Sequence, residues 1–291
     1  MTRALLAWTI WPLSLSAMIL ALLLFADVHD PQSLSGTFTP IAIVLLLGAL
    51  GLELVLPYRS DWKVKGDHDV WRDLGHLFLY TVVGGNLAGL IYVTAFGSLI
   101  APLNLSGLWP SESPLLVQVL IVLVLADFLE YWLHRLSHHI PAFWRVHAIH
   151  HMPTRLHMLK AARHHIGYYI LRGAVVWVPL MLIGVPPQLL VWQFIGIVLV
   201  QNLSHANIDV RVPAFVNRIL VTPQVHRVHH SVDAKQGNSN FGVLSPVWDE
   251  LFGTYSDPMK AQVSATGIEG DPIPHRFLNE ILWPVWVRHS Q

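Results

Sequence analysis

The chain has 291 residues, of which 53% are hydrophobic and only 12% are charged. Soluble domains carry about 25% charged residues, so this composition indicates an integral membrane protein. The formal net charge is zero, and without a basic excess we expect no nucleic-acid partner. The chain contains no cysteine, which excludes disulfides, iron–sulfur clusters, thiolate-bound haem and cysteine-ligated zinc sites.

Long apolar runs predict four membrane-spanning helices, because about 20 apolar residues cross a bilayer core. The first run follows Arg3 and reaches Asp27 without another charged residue. A cleavable signal peptide is the alternative for this run, but the run is longer than a signal-peptide core and shows no obvious cleavage site. The predicted spans are residues 4–25, 38–56, 74–100 and 115–133.

Two shorter apolar runs, residues 166–183 and 188–203, are joined by a tight Gly-Val-Pro-Pro segment and predict a helical hairpin. The predicted fold class is therefore all-α, an integral membrane bundle of about four spanning helices with a short hairpin and a histidine-rich cap. We divide the chain into N-terminal membrane helices, a catalytic domain and a C-terminal tail, at residues 1–114, 115–255 and 256–291.

Basic residues lie in alternate loops of this predicted bundle, which sets its orientation. Residues 27–36 and 102–114 contain no Lys or Arg, whereas residues 58–73 contain four and residues 134–165 contain five. Loops rich in Lys and Arg stay in the cytoplasm. We therefore expect a multi-pass membrane protein with its histidine-rich cap on the cytoplasmic face, in the plasma or inner membrane if the source is bacterial.

Histidines are concentrated in one HxxxH pair and two HxxHH clusters. These are His134 and His138; His147, His150 and His151; and His226, His229 and His230. Residues three and four apart share one face of a helix, and burying eight unpartnered imidazoles would cost on the order of several kcal/mol. We predict that they bind metal. Because one zinc or iron site needs only three or four protein ligands, two ions are expected.

Further histidines are weaker candidates for the same site. His205 is a candidate ninth ligand, with an interfacial histidine near a helix end as the alternative, and His165 is an equally open candidate. His139 and His164 flank ligand candidates and are expected in solvent or around the site. His76 lies in the third predicted span without a spacing partner. The remaining histidines are expected at the surface: His29, His68, His157, His275 and His289.

Asp127 and Glu130 are the candidate catalytic carboxylates, in the last turns of the fourth predicted span. Carboxylates at this depth need a partner, and accepting N–H groups from ligand imidazoles would fix the ring orientations. The alternative is a salt bridge to Arg135 or Arg145.

Other chemistries find little support in the sequence. It contains no HExxH, GxSxG, P-loop or GxGxxG motif. A membrane metal transporter or sensor would place its histidines along the spans, whereas these lie at or beyond their ends. A zinc-dependent membrane hydrolase remains an alternative, and redox-inert zinc as opposed to iron with O2 consumption would distinguish it from an oxygenase.

From residue 115 to residue 255 the chain resembles the fatty acid hydroxylase/sterol desaturase superfamily of integral membrane proteins. The resemblance is carried by the order of the three histidine boxes and by the flanking segments DFxxYWxHR, NFG and WDxxFGTY, at residues 127–135, 240–242 and 248–255. It implies that the histidines bind two metal ions, expected to be iron, which activate O2 to oxidise a lipid C–H bond. Zinc can replace iron during expression.

The resemblance leaves the substrate open among fatty acyl, sterol and ether lipids, with branches similar to alkylglycerol monooxygenases, sterol desaturases and lipid hydroxylases. Hydroxylation is favoured over desaturation, because nothing beyond the shared histidine boxes points to sterols. The sequence shows no fused cytochrome b5-like domain, so an external ferredoxin-like or cytochrome b5-like electron donor is implied. No oligomeric state is predicted.

Overall fold

The structure is a computed structural model that describes residues 4–9, 12–13, 16, 43–44, 47–95 and 106–286. Of the first predicted span these include residues 4–9, 12–13 and 16, and of the second they include residues 43–44 and 47–56; the rest of both spans lies outside the described residues. The described part is all-helical and contains no strand, which confirms the predicted fold class. Within it, three helices are long and apolar enough to cross a membrane: Val70–Tyr92, Leu115–His139 and Pro187–His205.

The first described span is a single helical rod of three parts. It consists of α1 (Val70–Leu77), a π-helical segment (Phe78–Gly84) and α2 (Gly85–Ala95). The next span, α3 (Leu115–His139), follows Pro114 and ends at Ile140, which is extended. A residue before proline avoids the helical region, and Pro141 then occupies the first turn of α4 (Pro141–His151). The chain turns at this corner between two helices that both carry histidines of the predicted metal site.

The predicted hairpin is present, and its second arm is long enough to span. After a short 3-10 helix (Met158–Ala162), the first arm comprises α5 (Ile166–Arg172), a π-helical segment (Gly173–Trp177) and α6 (Val178–Leu182). A turn with Gly184 at φ 88° leads into α7 (Pro187–His205). Buried side chains of the first described span and of α3, α5 and α7 form the main apolar core.

The C-terminal part consists of short helices that cover the histidine-rich ends of the bundle. They are α8 (Val216–Ile219), α9 (Pro223–His229), α10 (Ala234–Gly237), α11 (Val247–Phe252) and α12 (Phe277–Trp286). Helix α9 packs on α7, and α12 packs on α4. Thus the segment beyond residue 255 contributes a packed helix.

A buried ion-pair network holds α12 against the bundle. Glu280 is fully buried and accepts hydrogen bonds from Arg163, at 3.0 Å, and from Arg72. Asp73 accepts from Lys160 at 2.6 Å and from Arg163 at 3.0 Å. Each carboxylate has cationic partners, as buried charges require. The network fixes the segment that leads to α5.

Two further histidines belong to this network. His157 was expected at the surface, but it is fully buried with Nε2 2.7 Å from Asp67. His76, which had no partner by spacing, lies 2.8 Å from Glu280. The expectation for His157 was wrong because its partner is ninety residues away in sequence, and no local pattern reveals such a pair.

Candidate metal centre

Nine histidines converge at the ends of α3, α4, α7 and α9 in two compact groups. Group A contains His134, His138, His147, His151 and His229; group B contains His150, His205, His226 and His230. Within each group, the potential ligand nitrogens all lie within 4.8 Å of one another. All eight histidines of the three boxes are therefore brought together, and His205 joins them.

Each HxxHH box contributes to both groups: the first gives two histidines to group A and one to group B, and the second gives one to group A and two to group B. In α4, His147 and His151 point to group A and His150 points to group B. At α9 the first and last histidines of the box belong to group B, and His229 belongs to group A. Residues four apart project from nearly the same side of a helix, whereas a residue three apart lies on the other flank. Each box thus bridges both groups and holds them side by side.

The Nε2 atoms within a group are spaced as the edges of a coordination polyhedron. In group A, His151 Nε2 lies 3.1 Å from His138 Nε2, 3.1 Å from His147 Nε2 and 3.2 Å from His229 Nε2. In group B, successive Nε2 atoms are 3.0–3.1 Å apart. Two nitrogens bound at about 2.1 Å to one ion at a right angle are about 3.0 Å apart. The spacing fits one ion in each group.

Backbone carbonyls decide which ring nitrogen carries hydrogen. His134 Nδ1 lies 2.8 Å from the carbonyl of Phe241, His229 Nδ1 lies 2.8 Å from that of Ser239, and His205 Nδ1 lies 2.7 Å from that of Gln201. A carbonyl can only accept, so each Nδ1 must be the N–H donor and each Nε2 keeps its lone pair. Lone pairs that face one another need a cation, and this donor set therefore fits a metal.

Burial keeps these imidazoles neutral. For His147, His150 and His151 on α4, desolvation lowers the pKa well below the usual 6.5, and the neighbouring imidazoles lower it further. The same causes lower the pKa of His226 and His229. A neutral ring offers a lone pair at physiological pH, as metal binding requires.

His165 does not join either group. Its Nε2 donates to the carbonyl of Ile281 at 2.9 Å, and its Nδ1 accepts from the backbone N–H of Gly167 at 3.0 Å. Both nitrogens are therefore used, one to cap α5 and the other to bind α12. We correct the ligand set by removing His165. The sequence did not reveal the cap, because histidine is not among the residues preferred at that position.

Asp127 and Glu130 also differ from the expectation. Asp127 accepts from the backbone N–H of Leu244 at 2.7 Å and from the indole of Trp248 at 3.1 Å. Glu130 pairs with Arg172 at 2.5 Å, not with the arginines considered from sequence. No hydrogen bond joins either carboxylate to a cluster imidazole in the described chain. The predicted role is corrected, since carbonyl groups orient the rings instead.

A loop between α10 and α11 supplies two of those carbonyls. Asp249 is buried and accepts from the backbone N–H groups of Phe241 and Gly242, both at 2.8 Å. Asn240 has a φ of 55°, a left-handed conformation that asparagine tolerates. A Cβ on Gly242 would lie 2.3 Å from the carbonyl oxygen of Ser245, so only glycine fits. The NFG and WD segments noted in the sequence thus build one structure that supports His134 and His229.

His164 is a buried neighbour of the centre. Its ring stacks on His150, with centroids 4.0 Å apart and planes 12° apart, and on Tyr168, with centroids 5.0 Å apart. It belongs around the site, the second of the two places expected for it. In the sequence, His164 and His139 were both noted as neighbours of ligand candidates. That position alone did not show that His164 is buried and His139 is exposed.

A small pocket and a larger cavity lie close together near the centre. The small pocket lies between the two groups, lined by His134, His147, His150 and His226. The larger cavity, of about 730 Å³, opens among the spans and is lined mainly by apolar side chains of residues 43–50, of the 3-10 helix Met158–Ala162 and of α7. None of the nine histidines lines it, and it meets the small pocket at Gln201, which lines both.

The chain is similar to known lipid-modifying enzymes. The family model for fatty acid hydroxylases matches residues 119–254. Ornithine lipid hydroxylase OlsE of Rhizobium tropici is 33% identical over 243 residues, which cover 80% of this chain and 70% of that protein. No solved structure matches the chain.

More distant relatives match shorter stretches of the chain. Human alkylglycerol monooxygenase is 29% identical over 138 residues, 44% of this chain and 28% of that protein. The very-long-chain aldehyde decarbonylase CER1 of Arabidopsis thaliana is 25% identical over 180 residues, 57% of this chain and 27% of that protein. The matches thus span under a third of the length of these two relatives. Because the family model matches and the similarity to OlsE extends over most of both proteins, the chain belongs to the fatty acid hydroxylase family of membrane lipid oxidoreductases.

Proposed function

We propose that the chain is an O2-dependent lipid hydroxylase with two iron ions, one in each histidine group. The observation that carries this proposal is the pair of groups in which neutral imidazoles aim Nε2 lone pairs at one another, beside an apolar cavity. Two irons bound there would supply reducing equivalents to O2. Imidazole ligands suit iron, and zinc is the ion that can replace it in purified material.

The protein's own residues would hold and shape this centre. The five histidines of group A and the four of group B are the proposed ligands, and the carbonyls of Ser239, Phe241 and Gln201 fix three of the rings. Asp127 and Asp249 would keep the supporting loop in place. The small pocket between the groups is the proposed place where O2 and the substrate C–H bond meet.

The reaction needs electrons from outside the chain. Hydroxylation consumes a lipid C–H bond, O2, two electrons and two protons, and yields the C–OH group and one water. We propose an external one-electron donor, ferredoxin-like or cytochrome b5-like. A cavity of about 300 Å³ reaches group A beside Trp144, whose ring is 5.2 Å from that of His138. This side, which we assign to the cytoplasm, is the proposed approach for the donor.

Relatives guide the choice of substrate and reaction. OlsE is named an ornithine lipid hydroxylase and covers most of this chain, and we propose hydroxylation of a polar acyl lipid here too. Similarity to lipid hydroxylases and monooxygenases favours this reading over a metal transporter or a zinc hydrolase, neither of which would use O2.

An oxygen electrode tests the proposal. Chain loaded with iron, given a chemically reduced ferredoxin and a bacterial lipid extract, is expected to consume O2 faster than the same mixture without lipid. Zinc-loaded chain is the matched control and should show no lipid-dependent uptake, since zinc has no redox chemistry. Lipid conversion that proceeds equally with zinc and without O2 would contradict the proposal and favour the hydrolase.

A further inference from the structure

The large cavity has the shape of a binding site for a hydrocarbon chain. Its volume of about 730 Å³ lies within the range of ligand pockets. Along α7 its lining runs from Val191 to Asn202, a rise of about 16 Å at 1.5 Å per residue. Most of the lining is aliphatic or aromatic, so an extended acyl chain could lie along α7 out of contact with water.

Polar side chains line this cavity at its histidine end. Gln201 and Asn202 lie within one turn of His205, and the Tyr80 ring centroid is 5.0 Å from that of His164. The opposite end of the lining along α7 is apolar, with Val191, Phe194 and Ile195. A lipid bound here would therefore place its polar group next to the metal centre and its chain toward the middle of the bilayer.

Gln201 lines both the apolar cavity and the pocket between the histidine groups, and among the described residues it alone does so. Its backbone carbonyl is engaged by His205, but its side-chain amide makes no hydrogen bond within the part of the chain that is described. The neighbouring Asn202 differs, because its amide donates to the carbonyl of Val198 at 2.7 Å. The Gln201 amide, with two donors and one acceptor oxygen, is available to a ligand.

The side chains that line the cavity offer hydrogen bonds more than free charge. Among the described residues that line it, Arg172 alone is charged, and its guanidinium is paired with buried Glu130 at 2.5 Å. The pair is neutral as a whole. An ester, amide or hydroxyl group of a lipid can hydrogen-bond to the Gln201 amide.

We propose that Gln201 is a substrate-binding residue whose side-chain amide hydrogen-bonds to the neutral polar group of an acyl lipid, with the acyl chain in the apolar cavity. This inference rests on the proposed function and adds a substrate class: lipids with an ester, amide or hydroxyl group at the end of the chain.

Equilibrium binding tests the proposal without requiring turnover. The probe is radiolabelled 1-palmitoylglycerol, added to the metal-loaded full chain in detergent. The variants are Gln201→Leu and Gln193→Leu. Gln193 is the matched control, because it is a buried glutamine of the same helix that lines neither cavity. Metal content, measured by mass spectrometry, should be equal in all three proteins.

Gln201→Leu is expected to lose about tenfold in affinity for 1-palmitoylglycerol, the effect of one hydrogen bond. Gln193→Leu should bind it like wild type. An unchanged Gln201→Leu variant, or an equal loss in Gln193→Leu, would overturn the proposal. A wild-type chain that binds the glycerol ester through Gln201 but consumes no O2 would refute only the proposed function.

Discussion

Individual imidazoles in this protein are oriented by the backbone. The carbonyls of Phe241, Ser239 and Gln201 take the Nδ1 hydrogens of three histidines and turn their Nε2 lone pairs inward. Carbonyl acceptors have no sequence signature, which is why the sequence predicted carboxylates in this role. The residue types and spacings of the boxes predicted the ligand candidates, but only the packing shows that His205 joins the centre and His165 does not.

Removing one ligand from group B should release one ion. His205→Ala leaves three imidazoles, and we expect its affinity for that ion to fall by more than the roughly 10–100-fold typical of lost outer partners. After dialysis against a chelator, metal analysis should give two ions per wild-type chain and about one per variant chain. His165→Ala is the control and should retain two. Equal metal loss from both variants would contradict the assignment of ligands.

Gln193 offers a test of buried polarity. Its side chain is fully buried in α7, and neither amide atom has a partner among the described residues. An unsatisfied buried polar group costs about 1–3 kcal/mol. Gln193→Leu is therefore expected to raise the unfolding temperature in detergent, measured by light scattering and intrinsic fluorescence. A lower temperature would show that the amide makes a stabilising contact.

At the scale of elements, the loop before α11 connects distant parts of the site. It carries two carbonyl acceptors and is itself fixed by Asp249 and Asp127. The sequence indicated its parts only as the NFG and WDxxFGTY segments of the resemblance. Their joint role depends on contacts between residues more than a hundred positions apart. The apolar runs predicted the helices better, because burial in lipid imposes a length and composition on each one.

Gly242 should be necessary for this loop. An added Cβ would meet the Ser245 carbonyl at 2.3 Å, so Gly242→Ala must shift the backbone that holds His134. We expect the affinity of group A for its ion to fall by about 10–100-fold, measured by metal titration. Gly89→Ala is the control, since a Cβ there meets nothing within 4 Å. Unchanged affinity in Gly242→Ala would mean that the loop does not support the ligands.

The whole molecule should be sensitive to acid. The buried histidines outside the spans, such as His147 and His229, have a pKa well below the usual 6.5. Unfolded histidines titrate near 6.5, so below about pH 6.5 the unfolded chain binds more protons than the folded chain. Folding stability is then complete above that pH and decreases as the pH falls. The unfolding temperature of metal-free chain should drop from about pH 7.5 to about pH 5.5, and a constant or rising value would contradict the buried neutral rings.

The orientation of the molecule in the membrane is a separate prediction. Ser111 and Pro153 flank the span Leu115–His139. Reporter fusions after Ser111 should report the outside, and fusions after Pro153 should report the cytoplasm, where an electron donor is available. The sequence predicted this arrangement from its basic loops alone. A fusion after Pro153 that reports the outside would place the histidine centre on the wrong face for such a donor.

The most direct test of the account is the origin of the oxygen atom in the product. Iron-loaded chain, supplied with reduced ferredoxin, a polar acyl lipid and isotopically labelled O2, should form a lipid that carries one labelled oxygen, as detected by mass spectrometry. Hydroxylation by the two histidine groups requires that label. A product lighter by two hydrogens without label would indicate desaturation instead, and a product whose added oxygen comes from water would contradict the central claim.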